Sequence, residues 1–153
     1  MGEAVTMTLD ELPAQIGQEV SLTGWMRIDQ TRINQFADAT GDNKWIHVDP
    51  VRAASESPYG APIAHGFLTL SLLSLLSKDV LPVDGVRLRV NYGLNRVRFP
   101  AAVRVNSRVR GRFLLSDVRP FSEGADITLS VTVELEGSPK PCCVAEWIVR
   151  YYR

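Results

Sequence analysis

Ala64-His-Gly-Phe-Leu-Thr-Leu-Ser-Leu-Leu-Ser-Leu-Leu-Ser-Lys78 lies near the middle of a chain of 153 residues. Its apolar members Phe67, Leu68, Leu70, Leu72, Leu73, Leu75 and Leu76 fall nearly all round a helical axis. That pattern predicts a helix from near His65 to about Lys78 with no solvated face. The remaining positions, Thr69, Ser71, Ser74 and Ser77, are small enough to sit against a sheet. Phe67–Leu76 is too short to cross a bilayer, which takes about 20 residues.

The sequence downstream supplies that sheet. Val86, Leu88, Val90 and Tyr92 alternate with Arg87, Arg89 and Asn91; Val109, Gly111, Phe113 and Leu115 alternate with Arg108, Arg110 and Arg112. Ile127, Leu129, Val131, Val133 and Leu135 alternate with polar residues, and the last segment puts Cys143, Ala145, Trp147, Val149 and Tyr151 on one face. Clean alternation predicts antiparallel strands with one buried face. Upstream, Thr8-Leu-Asp-Glu11 reads as a capping box for a short helix ending near Gly17. Val20 to Ile28 reads as a strand, and Asp29 and Gly41 bracket a second helix holding Ile33, Phe36 and Ala37. Residues 42–63 read as irregular, with turn signals at Asp49-Pro50 and Ser57-Pro58. One strand, then helices, then a run of strands predicts a single α+β domain over residues 1–153, its sheet wrapped around the apolar helix.

Composition narrows the function classes. The chain is 45% hydrophobic and 22% charged, so it can build a core without staples. Two cysteines, adjacent at Cys142 and Cys143, make neither a disulfide framework nor a four-cysteine zinc site. Seventeen basic residues balance seventeen acidic ones, which gives no reason to expect nucleic acid. The balance is uneven along the chain, with nine arginines between Arg87 and Arg119 but only Asp117 as an acid. Arginine forks suit phosphate groups, although a solvated strand face explains most of them. The start, MGEAVTMTLDEL, has no apolar core of a signal peptide. Gly2 and Thr6 fit the loose myristoylation pattern without a second membrane signal, so a cytoplasmic location with no membrane partner is expected.

Only two histidines are present, and both flank the irregular segment. His47 follows Asp42 by five residues, a spacing that brings the two side chains together only if the loop turns between them. Asp42-Asn43 is good turn chemistry. A converged carboxylate and imidazole can hold one water, and imidazole suits general-base work. The alternatives are a loop carboxylate bonded to backbone and a histidine packed against Trp45. At the head of the apolar helix, Gly66 lacks a Cβ, so a ligand carbonyl can approach its N–H; close helix–sheet packing with His65 as a cap is the other reading. His47-x-Asp49 with His65 also has the residue types of an iron-binding triad, but His65 is too near in sequence for that pattern, and no metal or cofactor is expected.

Phe36-Ala-Asp-Ala-Thr-Gly-Asp42-Asn-Lys-Trp-Ile-His47-Val-Asp-Pro, followed by Ala64-His-Gly-Phe-Leu-Thr-Leu, resembles the MaoC-like dehydratase family. Within it the chain is similar to the NodN-like (R)-specific enoyl-CoA hydratases. Asn91-Tyr-Gly-Leu-Asn-Arg-Val-Arg-Phe-Pro100 and Val144-Ala-Glu-Trp-Ile-Val-Arg-Tyr extend the likeness over nearly the whole chain. The resemblance implies a hot-dog fold, a homodimer, and reversible hydration of trans-2-enoyl-CoA to (R)-3-hydroxyacyl-CoA. It implies Asp42 and His47 as the catalytic pair, Gly66 N–H in the oxyanion hole, and Ser74 as a supporting residue. Arg96 and Arg98 are the candidates for coenzyme A phosphates. Many members carry Asn-Pro where this chain has Lys44-Trp45, a change that bears on loop shape. Alternatives are a 3-hydroxyacyl-ACP dehydratase, a thioesterase and a non-catalytic acyl-thioester-binding subunit.

Overall fold

A computed structural model describes residues 6–153; Gly2 of the acylation pattern lies outside them. The order is β1 (Met7–Thr8), a 3-10 turn Leu12–Gln15, β2 (Glu19–Leu22), β3 (Met26–Arg27), α1 (Gln30–Thr40), α2 (Trp45–Val48), α3 (Pro50–Glu56), α4 (Gly66–Ser71) and α5 (Leu73–Leu76). Then follow β4 (Val83–Asp84), β5 (Leu88–Arg98), β6 (Arg108–Phe121), β7 (Gly124–Leu135) and β8 (Cys143–Tyr152). The main sheet runs β2-β6-β7-β8-β5 with antiparallel pairing throughout, and β3 also pairs with β6. β1 and β4 form a small parallel pair.

Alternation sets the inner face of the sheet. Val109, Phe113 and Leu115 of β6, Ile127, Leu129, Val131 and Val133 of β7, and Cys143, Ala145, Trp147, Val149 and Tyr151 of β8 are all buried. Leu68, Leu72, Leu73 and Leu76 of α4 and α5 join them in one core. Each fully buried leucine contributes about 1.5–3 kcal/mol. α1 forms as its caps predict: the Asp29 carboxylate accepts from the Arg32 N–H at 2.9 Å, and Gly41 ends the helix at φ 74°.

Several expectations change. The strand expected over Val20–Ile28 is two short strands, because the Thr23 hydroxyl accepts the Gly111 N–H at 2.9 Å in place of a ladder carbonyl. The irregular stretch holds α2 and α3; Asp49 caps α3 by accepting the Arg52 N–H at 3.0 Å, and Pro50 takes its first turn. Only the carboxylate half of the expected capping box is present, with Glu11 accepting from Thr8 N–H at 2.7 Å ahead of the 3-10 turn.

The largest difference concerns the apolar helix. One chain covers only the stripe that faces the sheet, leaving Phe67 70% and Leu75 49% exposed. β5 shows the same character. It pairs with β8 on one side only, and Leu88, Val90, Tyr92 and Leu94 remain exposed.

The arginines of β6 resolve into ion pairs. Arg108 bonds Glu136, Arg110 and Arg112 share Glu134, and Arg119 bonds Asp117. Arg150 clamps Asp126 through two bonds at 2.7 and 2.8 Å, with its guanidinium over the Tyr92 ring. No helix among the described residues is long and apolar enough to cross a membrane.

Candidate active site

The loop between α1 and α2 makes the turn that the Asp42–His47 spacing requires. Gly41 is left-handed, Lys44 is extended, and α2 begins at Trp45 and carries His47 in its single turn. Gln30 of α1 anchors that turn by donating to the His47 carbonyl at 2.7 Å. As a result an Asp42 carboxylate oxygen, a His47 ring nitrogen and a His65 ring nitrogen all lie within 4.8 Å of one another.

Hydrogen bonds define the tautomers. His47 Nδ1 is 2.7 Å from the Ile63 carbonyl oxygen. A carbonyl only accepts, so Nδ1 carries the proton and Nε2 keeps a lone pair. By the same rule His65 donates from Nε2 to the Asp42 carbonyl at 2.9 Å. Burial holds the His47 pKa below its usual value, against the opposing effect of the Ile63 bond, so the ring is neutral near pH 7. For Asp42, partial burial pushes the carboxyl up. Its hydrogen bond to Lys44, together with the nearby positive charge, outweighs that and leaves it low and ionised. The pair is therefore a free imidazole nitrogen beside a carboxylate.

His65 is the residue that sequence reading missed as part of the site. It is 3% exposed, and its ring stacks on His47 with centroids 3.8 Å apart and planes 24° from parallel. Phe36 packs against it at 5.0 Å. The available signal was that the second of two histidines immediately precedes Gly66. Gly66 opens α4, and neither its N–H nor that of Phe67 finds a protein acceptor among the described residues. The Phe99 ring lies over Gly66, where an added Cβ would stand 3.1 Å from it.

The other candidates lie apart. Ser74 is eight residues along the helix from Gly66, about 12 Å at helical rise. Its hydroxyl accepts from Asn91 at 3.5 Å rather than meeting the pair. Ser74 lines two adjoining grooves of about 320 and 220 Å³ that share Asn91 and Trp147. Arg96 and Arg98 line a groove of about 570 Å³ with Ser130, Thr132 and Glu146. Neither has a carboxylate partner among the described residues.

The iron-type triad does not form, because Asp49 is committed to capping α3. Asp42, His47 and His65 supply donor types a metal accepts, with their donor atoms within 4.8 Å of one another.

Residues 11–136 match the MaoC like domain model, and the chain belongs to that family. Its helix wrapped by an antiparallel sheet is the hot-dog fold of the family's hydratases, and the chain is, with its relatives, a hydro-lyase. It is 54% identical over 142 residues to 3-hydroxyacyl-thioester dehydratase Z of Mycobacterium tuberculosis, covering 92% of this chain and 93% of that protein. Nodulation protein N of Rhizobium leguminosarum bv. viciae is 49% identical, covering 93% of this chain and 89% of that one. Among solved structures, the (R)-hydratase from A. caviae involved in PHA biosynthesis matches with a TM-score of 0.71 at 25% identity, covering 88% of this chain and 94% of that chain.

Proposed function

We propose that the chain is an (R)-specific enoyl-CoA hydratase, adding water reversibly across trans-2-enoyl-CoA to give (R)-3-hydroxyacyl-CoA. The observation that carries this reading is the pinned His47 tautomer, with its Nε2 lone pair free beside ionised Asp42. Two groups up to 4.8 Å apart can share one water at about 2.8 Å from each. His47 takes a proton from that water, its oxygen bonds to C3, and electron density moves to the thioester oxygen. Asp42 orients the water and shares the return of a proton to C2. The free N–H of Gly66 stabilises the enolate oxygen, an effect of about 3 kcal/mol for one good donor.

The grooves beside α4 and α5, floored by Leu73 and Trp147, fit an acyl tail. Arg96 and Arg98 are assigned to the coenzyme A phosphates, since both are exposed and lie just before Phe99, which covers Gly66. Crotonyl-CoA tests the reading directly through loss of conjugated enoyl absorbance, with chiral analysis of the product. No turnover, or the (S) product, would refute it. Placing the same enoyl group on acyl carrier protein separates the two carrier classes.

The depressed His47 pKa fixes the direction of the pH response. The base works only when neutral, so the acid limb of kcat/KM should have its midpoint below 6.5, the usual imidazole value. A midpoint above 6.5 would contradict this assignment.

We assign the exposed apolar surface to a second copy of the chain. The free edge of β5, with Tyr92 57% and Leu88 47% exposed, shares a groove with Leu70 and Leu73 of the central helices, which also carry the exposed Phe67 and Leu75. An unpaired strand edge with apolar side chains is a template for pairing. Light scattering should give twice the chain mass, and a Tyr92→Glu, Leu94→Glu double variant should give the single-chain mass.

A further inference from the structure

We infer that His65 is a positioning residue that holds both halves of the Asp42–His47 pair, an inference that rests on the hydration reading above. Its Nε2–H fixes the Asp42 backbone at 2.9 Å, and its ring face supports the His47 imidazole at 3.8 Å. Asp42 sits on the loop and His47 on the short helix α2, and His65 arrives from the head of α4, 23 residues beyond Asp42. It hydrogen-bonds the backbone of one and stacks on the ring of the other. It also immediately precedes Gly66, so one residue ties the carboxylate, the base and the free amide to a common frame.

The unused nitrogen argues that this side chain is more than filler. His65 Nδ1 is buried with no hydrogen-bond partner among the described residues. An unsatisfied buried acceptor costs stability, and a phenylalanine or leucine would pack without that cost. What histidine offers here over phenylalanine or leucine is a flat ring with a donor at its far corner. Both features are used, one on each member of the pair. Asp42 and Lys44 from the loop and His65 from α4 are the charged or titratable groups that bear on His47. Removing His65 therefore changes the surroundings of the base as well as its placement.

Two variants separate the two contacts. His65→Phe keeps a stacking ring and loses the donor; His65→Gln keeps a donor and loses the ring. With crotonyl-CoA, kcat of His65→Phe should fall by about 100-fold, the scale of a misplaced catalytic group, with KM within about threefold. His65→Gln should recover part of that loss. Imidazole NMR gives a readout free of turnover, since each variant leaves His47 as the only histidine. Its titration midpoint should move up in His65→Phe toward the ordinary value. In the wild type, His47 should be the Nδ1–H tautomer and His65 the Nε2–H tautomer, a measurement that needs no variant to fold.

Wild-type kcat together with an unmoved His47 midpoint in His65→Phe would overturn the inference and leave the hydration reading intact. The opposite tautomer at either histidine would also overturn it. If the wild type hydrated no enoyl thioester, the functional reading would fall, and the His47 midpoint would still decide the role of His65.

Discussion

Replacing His47 with alanine is expected to lower the rate of enoyl-thioester hydration by about 1000-fold, in the range of a lost general base. The water would keep its Asp42 partner but lose the imidazole nitrogen assigned to take its proton. Asp42→Asn should lower kcat by a similar factor. An amide in that place keeps the shape, but it cannot share a proton or balance the imidazolium that forms. Because the two groups are assigned to one water, the double variant should be little worse than the poorer single variant. KM should change far less than kcat, since neither group is assigned to the acyl tail or the coenzyme. Initial rates with crotonyl-CoA check all three variants. Near-normal turnover in His47→Ala would remove the mechanism even if hydration itself were observed.

The second large effect concerns stability. Gly124 begins β7 opposite Tyr152, and a Cβ at that position would stand 1.8 Å from the Tyr151 carbonyl oxygen. The obstacle is backbone, so no rotamer change can relieve it. Gly124→Ala must push β7 from β8 or break their first pairs. The register of this pair runs from Gly124↔Tyr152 to Val133↔Cys143 through the middle of the sheet. The expected cost is about 4 kcal/mol, at the severe end for one substitution. Denaturant unfolding should show a clearly lower midpoint, and a midpoint equal to wild type would mean that the strand end relaxes freely.

Local signals in the sequence were reliable where one residue decides a local outcome. Asp29 and Gly41 bound α1 because a cap and a left-handed stop need no distant partner. The inner faces of β6, β7 and β8 followed from alternation alone. Asp49-Pro50 reads as a turn signal, but the same pair can cap and start a helix, and here it starts α3. Periodicity counted the apolar faces of the central helix but could not say what covers them; Phe67 and Leu75 face away from this chain's own sheet. Within the site, the spacing of Asp42 and His47 said only that they converge if the loop turns. The contact of His65 with both depends on α4 packing back across the loop, which no local pattern encodes.

The adjacent cysteines of β8 and its approach carry a last consequence. Cys142 and Cys143 are both free and buried, and burial pushes their thiols up to about 12 and about 11. Such sulfurs are not nucleophiles at neutral pH, so they offer acyl groups no route of transfer onto the enzyme itself. An alkylating reagent such as iodoacetamide should then mark only molecules whose β8 has come loose. The speed of that labelling would serve as a clock for how often the sheet opens.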